Sequence, residues 1–313
     1  MYFLDKIYQK VIISIELNPK TCKVLIDYHN NSKKEEKTYE TVNGDLPIDA
    51  IKHIRRIKNK YPFTYLASMI RESNQGLLHG NDLGIFDKFN INTKTVSIML
   101  VNKSWFLYIG KTSLQKEKNK FNKVYGIDFL FSPFVIIYER VKKQLEDIKK
   151  LYILQGRYAC TLLIANKRTI FFGKYIAIED GFFEEKESIE YNQINKNNVI
   201  EFDALNDIDE NIIIKSFDED EKEDIDLDST VSGLNDVTIA GNIINVIKDA
   251  LNEFYNDTRY EGDFIEELLI LDSYGISDNI ISHLKSHIML DVRLLQIDFC
   301  EEILKLSKME LRL

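Results

Sequence analysis

Cysteine is scarce in this sequence: three residues in 313, Cys22, Cys160 and Cys300, far apart and without CxxC spacing. An odd, scattered set excludes a disulfide framework and a cysteine zinc site, and fits buried thiols in a reducing cytoplasm. Long apolar runs are missing as well. The best candidate, GIDFLFSPFVIIYERV, is broken by Asp128, Ser132 and Pro133 and is too short to span a bilayer. At the N-terminus, MYFLDKIYQK places Asp5 and Lys6 where a secretory signal needs its apolar centre. Neither a P-loop nor a serine nucleophile elbow is present, and no internal repeat of about 20–50 residues recurs.

What is present describes a globular chain. Hydrophobic residues make up 44% and charged residues 29%, enough to bury a core over one large or two ordinary domains. The formal net charge of −9 argues against wholesale binding to nucleic acid or an anionic bilayer. That acid is concentrated in one stretch, so a local basic patch elsewhere stays open. From Glu179 to about Thr230 the chain is acidic and polar, ending in DEDEKEDIDLDST. Such a run cannot bury enough apolar surface to offset its ordering entropy, so a solvated, weakly structured insertion is expected over about 179–232. Short strands are expected within it at NVIEF and NIIIKSF.

Elsewhere the periodicity is clear. VIISIEL and TCKVLIDYH alternate β-branched and polar residues and read as a hairpin, with KTYETV adding a third strand. PIDAIKHIRRIKNKY has helical spacing behind Pro47, and FTYLASMI reads as a strand. A polar loop is expected from Ser73 to Asn92. TVSIMLVNKSWFLYIG reads as two strands about an Asn102-Lys103 turn, LQKEKNKFNKV as a basic surface helix, and YGIDFLF as a strand. From Pro133, FVIIYERVKKQLEDIKKL reads as one amphipathic helix. YACTLLIA and TIFFGKYIAI form a second hairpin about Asn166-Lys167-Arg168. A helix at NDVTIAGNIINVIKDALNEFY, a strand at IEELLILD, a Ser277-capped helix, a strand at VRLLQID and a final helix at CEEILKLSKMEL complete the chain.

Three stretches carry a family resemblance. The octet ELNPKTCK, Glu16 to Lys23, is the tip of the first hairpin. ILQGRYACTLLIANKRTIFF holds the second hairpin, with Arg168 to Phe171 after its turn. LLILDSYGISDNIISHLKSHIMLDVRLL is a strand, turn, helix and strand near the C-terminus. In this order they resemble the two-lobed actin-like α/β fold of the Hsp70, FtsA and sugar-kinase superfamily. They are most similar to PilM of type IV pilus machines and to the cytoplasmic domain of GspL of type II secretion. The resemblance implies a first lobe over 1–150 with an inserted subdomain at about 63–124. A second lobe over 151–313 would carry the acidic insertion.

The same resemblance implies that the nucleotide motifs are degenerate. Glu16 stands where the family has Asp, Asn18 where it has Gly, and Lys23 where it has Lys. Ile153 stands at the second Asp and Gln155 at its Gly. Asp272, Ser273 and Tyr274 occupy most of the glycine run that would hold adenosine, with Gly275 remaining, and Asn279 takes the later Gly. Ile153 cannot help hold a metal, Pro19 removes a backbone donor, and Asp272 places a carboxylate where a nucleotide needs backbone N–H groups. The expectation is a pseudo-ATPase with no cofactor and no catalytic residue.

By the resemblance, the chain would be a non-catalytic scaffold at the cytoplasmic face of a bacterial inner membrane, in a pilus, secretion, uptake or flagellar machine. It would bind the cytoplasmic tail of a PilN-like inner-membrane protein, with an assembly ATPase and a homo-oligomeric ring as further partners and no nucleic acid. Within the inserted subdomain, Trp105, Phe106 and Tyr108 are the candidate partner anchors. The basic stretch around them reads most simply as a solvated hairpin and helix. One rival is a working actin-like ATPase that switches with nucleotide. Another is a nucleic-acid binder centred on Lys103 to Lys123. His283 and His287 have the spacing of half a zinc site, but Leu284 takes the glutamate slot and no third ligand is placed, so they read as helix-surface histidines.

Overall fold

The computed structural model describes residues 9–29, 33–178, 227–260 and 262–313, with the backbone alone for 227–238. The two strands expected inside the acidic stretch lie outside the described residues. Residues 227–232, placed in the insertion by composition, are the start of a helix.

The first hairpin forms as its alternation requires. β1 (Lys10–Leu17) pairs antiparallel with β2 (Thr21–Tyr28), Glu16 opposite Lys23. Edge strand β3 (Lys33–Glu40) pairs with β2, and β4 (Phe63–Met69) and β8 (Phe129–Phe131) extend the sheet in parallel, in the order β3-β2-β1-β4-β8. Helix α1 (Ile48–Lys60) covers one face, where Ala50, Ile51, Ile54 and Ile57 meet Val11, Ile13 and Ile15. The opposite face presents Ile12 and Leu25 to Cys300 and Leu304 of α7 (Phe299–Glu310). Strand periodicity of two therefore sends alternate residues of β1 to two different helices, which is why nearly the whole strand is apolar.

The second sheet repeats the plan. β9 (Lys150–Gln155), β10 (Ala159–Ala165) and β11 (Ile170–Ala177) are antiparallel, and β12 (Glu267–Asp272) and β13 (Asp291–Gln296) add in parallel, giving β11-β10-β9-β12-β13. One face packs on α5 (Leu227–Asn256) and α6 (Asp278–His287), through Ile243, Ile247, Phe254, Ile280 and Leu284. The other packs on α4 (Pro133–Val141) and on Phe299, Ile303 and Leu306 of α7. Helix α7, although it closes the chain, thus lies between the two sheets.

A third sheet, in the order β5-β7-β6, comprises β5 (Gln75–His79), β6 (Val96–Val101) and β7 (Trp105–Gly110), with α2 (Ile85–Lys88) and α3 (Lys111–Asn119) beside it. Two sequence expectations fail here and nearby. Ser73 to Asn92 is not a loop: QGLLH is too short to announce itself, but β7 supplies a partner and Leu77 and Leu78 are buried. The helix from Pro133 ends at Val141 instead of continuing to Leu151. Its charged continuation has helical propensity, but Lys150 and Leu151 are claimed by β9 between β10 and β12, and tertiary pairing overrides propensity.

β5 lies against β11, and the approach needs a missing side chain. A Cβ on Gly173 would sit 2.4 Å from Leu77 Cδ2 and 3.0 Å from the Phe134 ring. Gly173→Ala is therefore expected to cost about 1–3 kcal/mol in urea denaturation, and Leu77→Ala combined with it less than the sum of the two. Additive losses would show that the close contact is not formed in solution.

Candidate interlobe site

The turn of the first hairpin is tied down by its own chain. Asn18 N–H donates to the Thr21 carbonyl at 2.8 Å, Gly44 N–H to the Pro19 carbonyl at 3.3 Å, and Thr41 N–H to the Lys20 carbonyl at 3.0 Å. Asn18 Nδ2 donates to Glu16 Oε1 at 3.2 Å. Arg71, two residues past β4, completes the cluster: its guanidinium donates to Glu16 Oε1 at 3.1 Å and to Asn18 Oδ1, and lies 5.6 Å from the centre of the Phe299 ring. Glu16 thus faces a guanidinium with both side chains largely buried. This arrangement neutralises the carboxylate in place.

Lys23 is equally occupied. Its Nζ lies 2.6 Å from Asp298 Oδ2 and 3.0 Å from Glu36 Oε1. Burial alone would lower its pKa, but the two carboxylates outweigh that and hold the ammonium above its ordinary range. Asp298 is also the N-cap of α7, accepting from Glu301 N–H at 3.0 Å. Burial would raise its pKa, yet Lys23 and that N–H keep it below the usual carboxylate value.

The second hairpin does not present Ile153 at its turn. Ile153 lies inside β9, opposite Leu162 and Ile270, in the core under α5 and α6. Gln155 is the last residue of β9 and fully buried. Its Nε2 donates to the Gly156 carbonyl at 2.9 Å, while Oε1 has no hydrogen-bond partner among the described residues. The Gln155 carbonyl accepts from the Ser273 N–H at 3.1 Å and hydroxyl at 3.0 Å, joining the second hairpin to the third stretch.

That third stretch is organised by Asp272. Its buried carboxylate accepts from Tyr274 N–H at 2.9 Å, Gly275 N–H at 2.9 Å, Ile276 N–H at 2.7 Å and Gln296 Nε2 at 2.7 Å. Successive backbone N–H groups curled around an anion are the geometry that phosphate sites use, and here the anion is the chain's own. Gly275, at φ +96°, makes the curl without strain. The Arg157 guanidinium lies 5.4 Å from the centre of the Tyr274 ring.

Between the hairpins a cavity of about 240 Å³ is lined by Asn18, Arg71, Lys120, Tyr158, Tyr175 and Ile178. Lys120 pairs with the buried Glu117 at 2.6 Å, and burial pushes the Tyr175 hydroxyl up to about 12. Burial, with Glu16 adding to it, pushes the Cys22 thiol up to about 12, and Cys160 and Cys300 are likewise buried and free. Among the described residues no cluster of three or more His, Cys, Asp or Glu side chains could hold a metal, and His283 and His287 stack at 6.1 Å on α6.

The candidate partner anchors divide. Trp105 is buried against Tyr138 and Phe106 against Phe86, so neither offers a free surface. Tyr108 is half-buried and lines a shallow cavity of about 90 Å³ with Ile70, Ile98, Met99, Leu107 and Leu130. The groove runs beside β6, an edge strand among the described residues, whose Met99 is 58% exposed. Arg71 and Asp298 escaped the sequence reading. The D-x-x-E pattern at Asp298 marks a helix cap, but nothing local marks its partnership with Lys23.

Residues 151–312, just over half the chain, match the family described as "Domain of unknown function (DUF8341)". The chain belongs to this family. In this DUF8341 member, residues 8–138 also match "Domain of unknown function (DUF8569)". No curated protein matches. Among solved structures, a Bacteroides thetaiotaomicron protein described as having an actin-like ATPase fold and unknown function is 10% identical. The match covers 96% of this chain and 97% of that one, with a TM-score of 0.50. A chain of a PilM-PilN type IV pilus biogenesis complex is 8% identical over 94% of this chain and 89% of its own, also with a TM-score of 0.50. These likenesses show the actin-like ATPase fold that the three sequence stretches implied.

Removing the internal anion tests its weight. Asp272→Ala strands three backbone donors and one amide, and is expected to cost about 3 kcal/mol or more in chemical denaturation, with Asp272→Asn losing less. A loss within experimental error of zero would show that the carboxylate does not organise the turn.

Proposed function

We propose that this DUF8341 member is a non-catalytic scaffold that binds the cytoplasmic tail of an inner-membrane protein in a bacterial envelope machine. The observation that supports the silent reading is Asp272, whose carboxylate takes up the backbone N–H groups of the turn where the resemblance places the adenosine. Lys23, held by Asp298 and Glu36, and Glu16, held by Arg71, point the same way. Residues 1–150 are taken as the first lobe, about 63–124 as an inserted subdomain, and 151–313 as the second lobe.

The likeness to a chain of a PilM-PilN complex supports a PilN-like tail as the ligand. The receiving surface is the groove at Ile98, Met99, Tyr108 and Leu130, where the edge of β6 offers backbone pairing and the groove offers side-chain pockets. Partner proteins of the ring and the membrane are approached through this surface. Among the described residues no helix is long and apolar enough to cross a membrane itself.

Two measurements test the reading. Calorimetric titration with magnesium ATP and ADP is expected to show no binding up to millimolar nucleotide, whereas micromolar binding would reinstate a nucleotide switch. Pull-down from detergent-solubilised native membranes is expected to recover a small inner-membrane protein. Met99→Glu, a change at an exposed position, is expected to weaken that capture about tenfold by placing a charge in the apolar groove. Capture of no membrane protein, or capture indifferent to Met99→Glu, would sink the tail-binding role.

A further inference from the structure

The charge of the chain is unevenly divided. Residues 179–226 carry 18 acidic and four basic side chains, a net of −14; subtracted from −9 for the whole chain, this leaves +5 for the rest. Part of that excess gathers on one surface beside the first sheet. Helix α1 has five cations, Lys52, Arg55, Arg56, Lys58 and Lys60, and one carboxylate, Asp49, which pairs with Lys52 at 3.3 Å. Its apolar stripe is spent on the sheet, so Lys52, Arg55, Arg56 and Lys60 are exposed on its outer side.

The turn that follows α3 continues this surface. Arg55 Nε donates to the Lys123 carbonyl at 2.6 Å, Lys58 Nζ to the Gly126 carbonyl at 3.4 Å, and the Arg55 guanidinium lies 5.5 Å from the centre of the Tyr125 ring. Tyr125, at φ +66° and 65% exposed, is turned outward between exposed Lys123 and α1. On the other flank, burial holds the His53 imidazole below its ordinary value, with Lys37 of β3 and Arg56 adding to this and Glu35, 4.0 Å from the ring, opposing it. Glu117, the one acidic residue of α3, is buried.

We propose that the face formed by Lys52, Arg55, Arg56, Lys60, Lys123 and Tyr125 docks this protein onto an anionic phospholipid bilayer. Cations spread along the outer side of a helix, with a single paired carboxylate among them, match a plane of lipid phosphates better than one discrete anion. Long Lys and Arg arms reach the headgroups, and an exposed tyrosine partitions to the membrane–water interface. The net charge of the whole chain does not forbid this, because exposed charges more than about 8 Å away are screened at physiological salt. The basic turn also runs directly into β8, whose Leu130 lines the groove beside β6. A bilayer at this face would therefore lie near that groove, although lipid binding goes beyond the tail-binding reading and stands without it.

The test is co-sedimentation of the full chain with vesicles of phosphatidylcholine alone and of phosphatidylcholine mixed with phosphatidylglycerol. Retention is expected on the anionic vesicles, not on the neutral ones, and is lost at high salt. Arg55→Gln with Lys123→Gln is expected to weaken partitioning about 25-fold, roughly fivefold for each cation. Because Arg55 also braces the turn, Lys52→Gln with Arg56→Gln is made in parallel and is expected to lose as much. Lys285→Gln, exposed on α6, is expected to change nothing. Equal retention on neutral vesicles, parent-like binding by both double variants, or tighter retention on duplex DNA than on anionic vesicles each overturns the proposal.

Discussion

The structure depends on one helix having two apolar faces. Cys300 and Leu304 of α7 meet Ile12 and Leu25 of the first sheet, while Phe299, Ile303 and Leu306 meet the core shared by α4 and the second sheet. Residues four apart align on a helix, so these two sets form adjacent stripes, and one element is buried by both halves of the molecule. Charge fixes the register. Asp298 caps the helix and holds Lys23, Glu301 pairs with Lys34 at 2.6 Å, and Lys308 pairs with Asp27 at 2.9 Å. Neither half completes its core without the last few residues of the chain.

This constraint bears on the cleft. The lysine that the family resemblance assigns to the nucleotide side is here part of the clamp between β2 and α7. Freeing it for a phosphate would strand the partly buried Asp298 and loosen the cap. Arg71 likewise serves structure, since it neutralises Glu16 while lying over Phe299, the first residue of the wedge. Lys23, Arg71 and Asp272 each have their own partners: Asp298 and Glu36, Glu16 and Asn18, and the N–H groups of the turn after β12 with Gln296.

How much of this was legible in the sequence follows the range of the interactions. Hairpins and amphipathic helices were readable because β-branched alternation and helical spacing are local, and the Ser277 cap was readable from one residue. β5 was not, because Leu77 and Leu78 become a strand only when β7 and β11 are beside them. Trp105 and Phe106 looked like anchors because a hairpin with aromatic residues often shows one face to solvent. Here α4 brings Tyr138 to one and α2 brings Phe86 to the other. Ile153, which the resemblance set at the second aspartate, is a core residue inside β9. The hydrogen bonds that Asp272 accepts from the turn after it were not foreseen. The partners of Lys23 and Arg71 lie far away in sequence and leave no local trace.

The same long-range contacts join the two sheets at more than one place. The two sheets are joined by α7, and again where β5 presses Leu77 into the space left by Gly173 on β11. A hinge motion between the sheets would have to break an apolar wedge and the packing of Leu77 on Gly173 together. Two elements are left outside this packing: the outer edge of β6 and the outer side of α1. Both belong to the first half of the chain, and both are held in fixed relation by the turn from Asn122 to Gly126 that leads into β8.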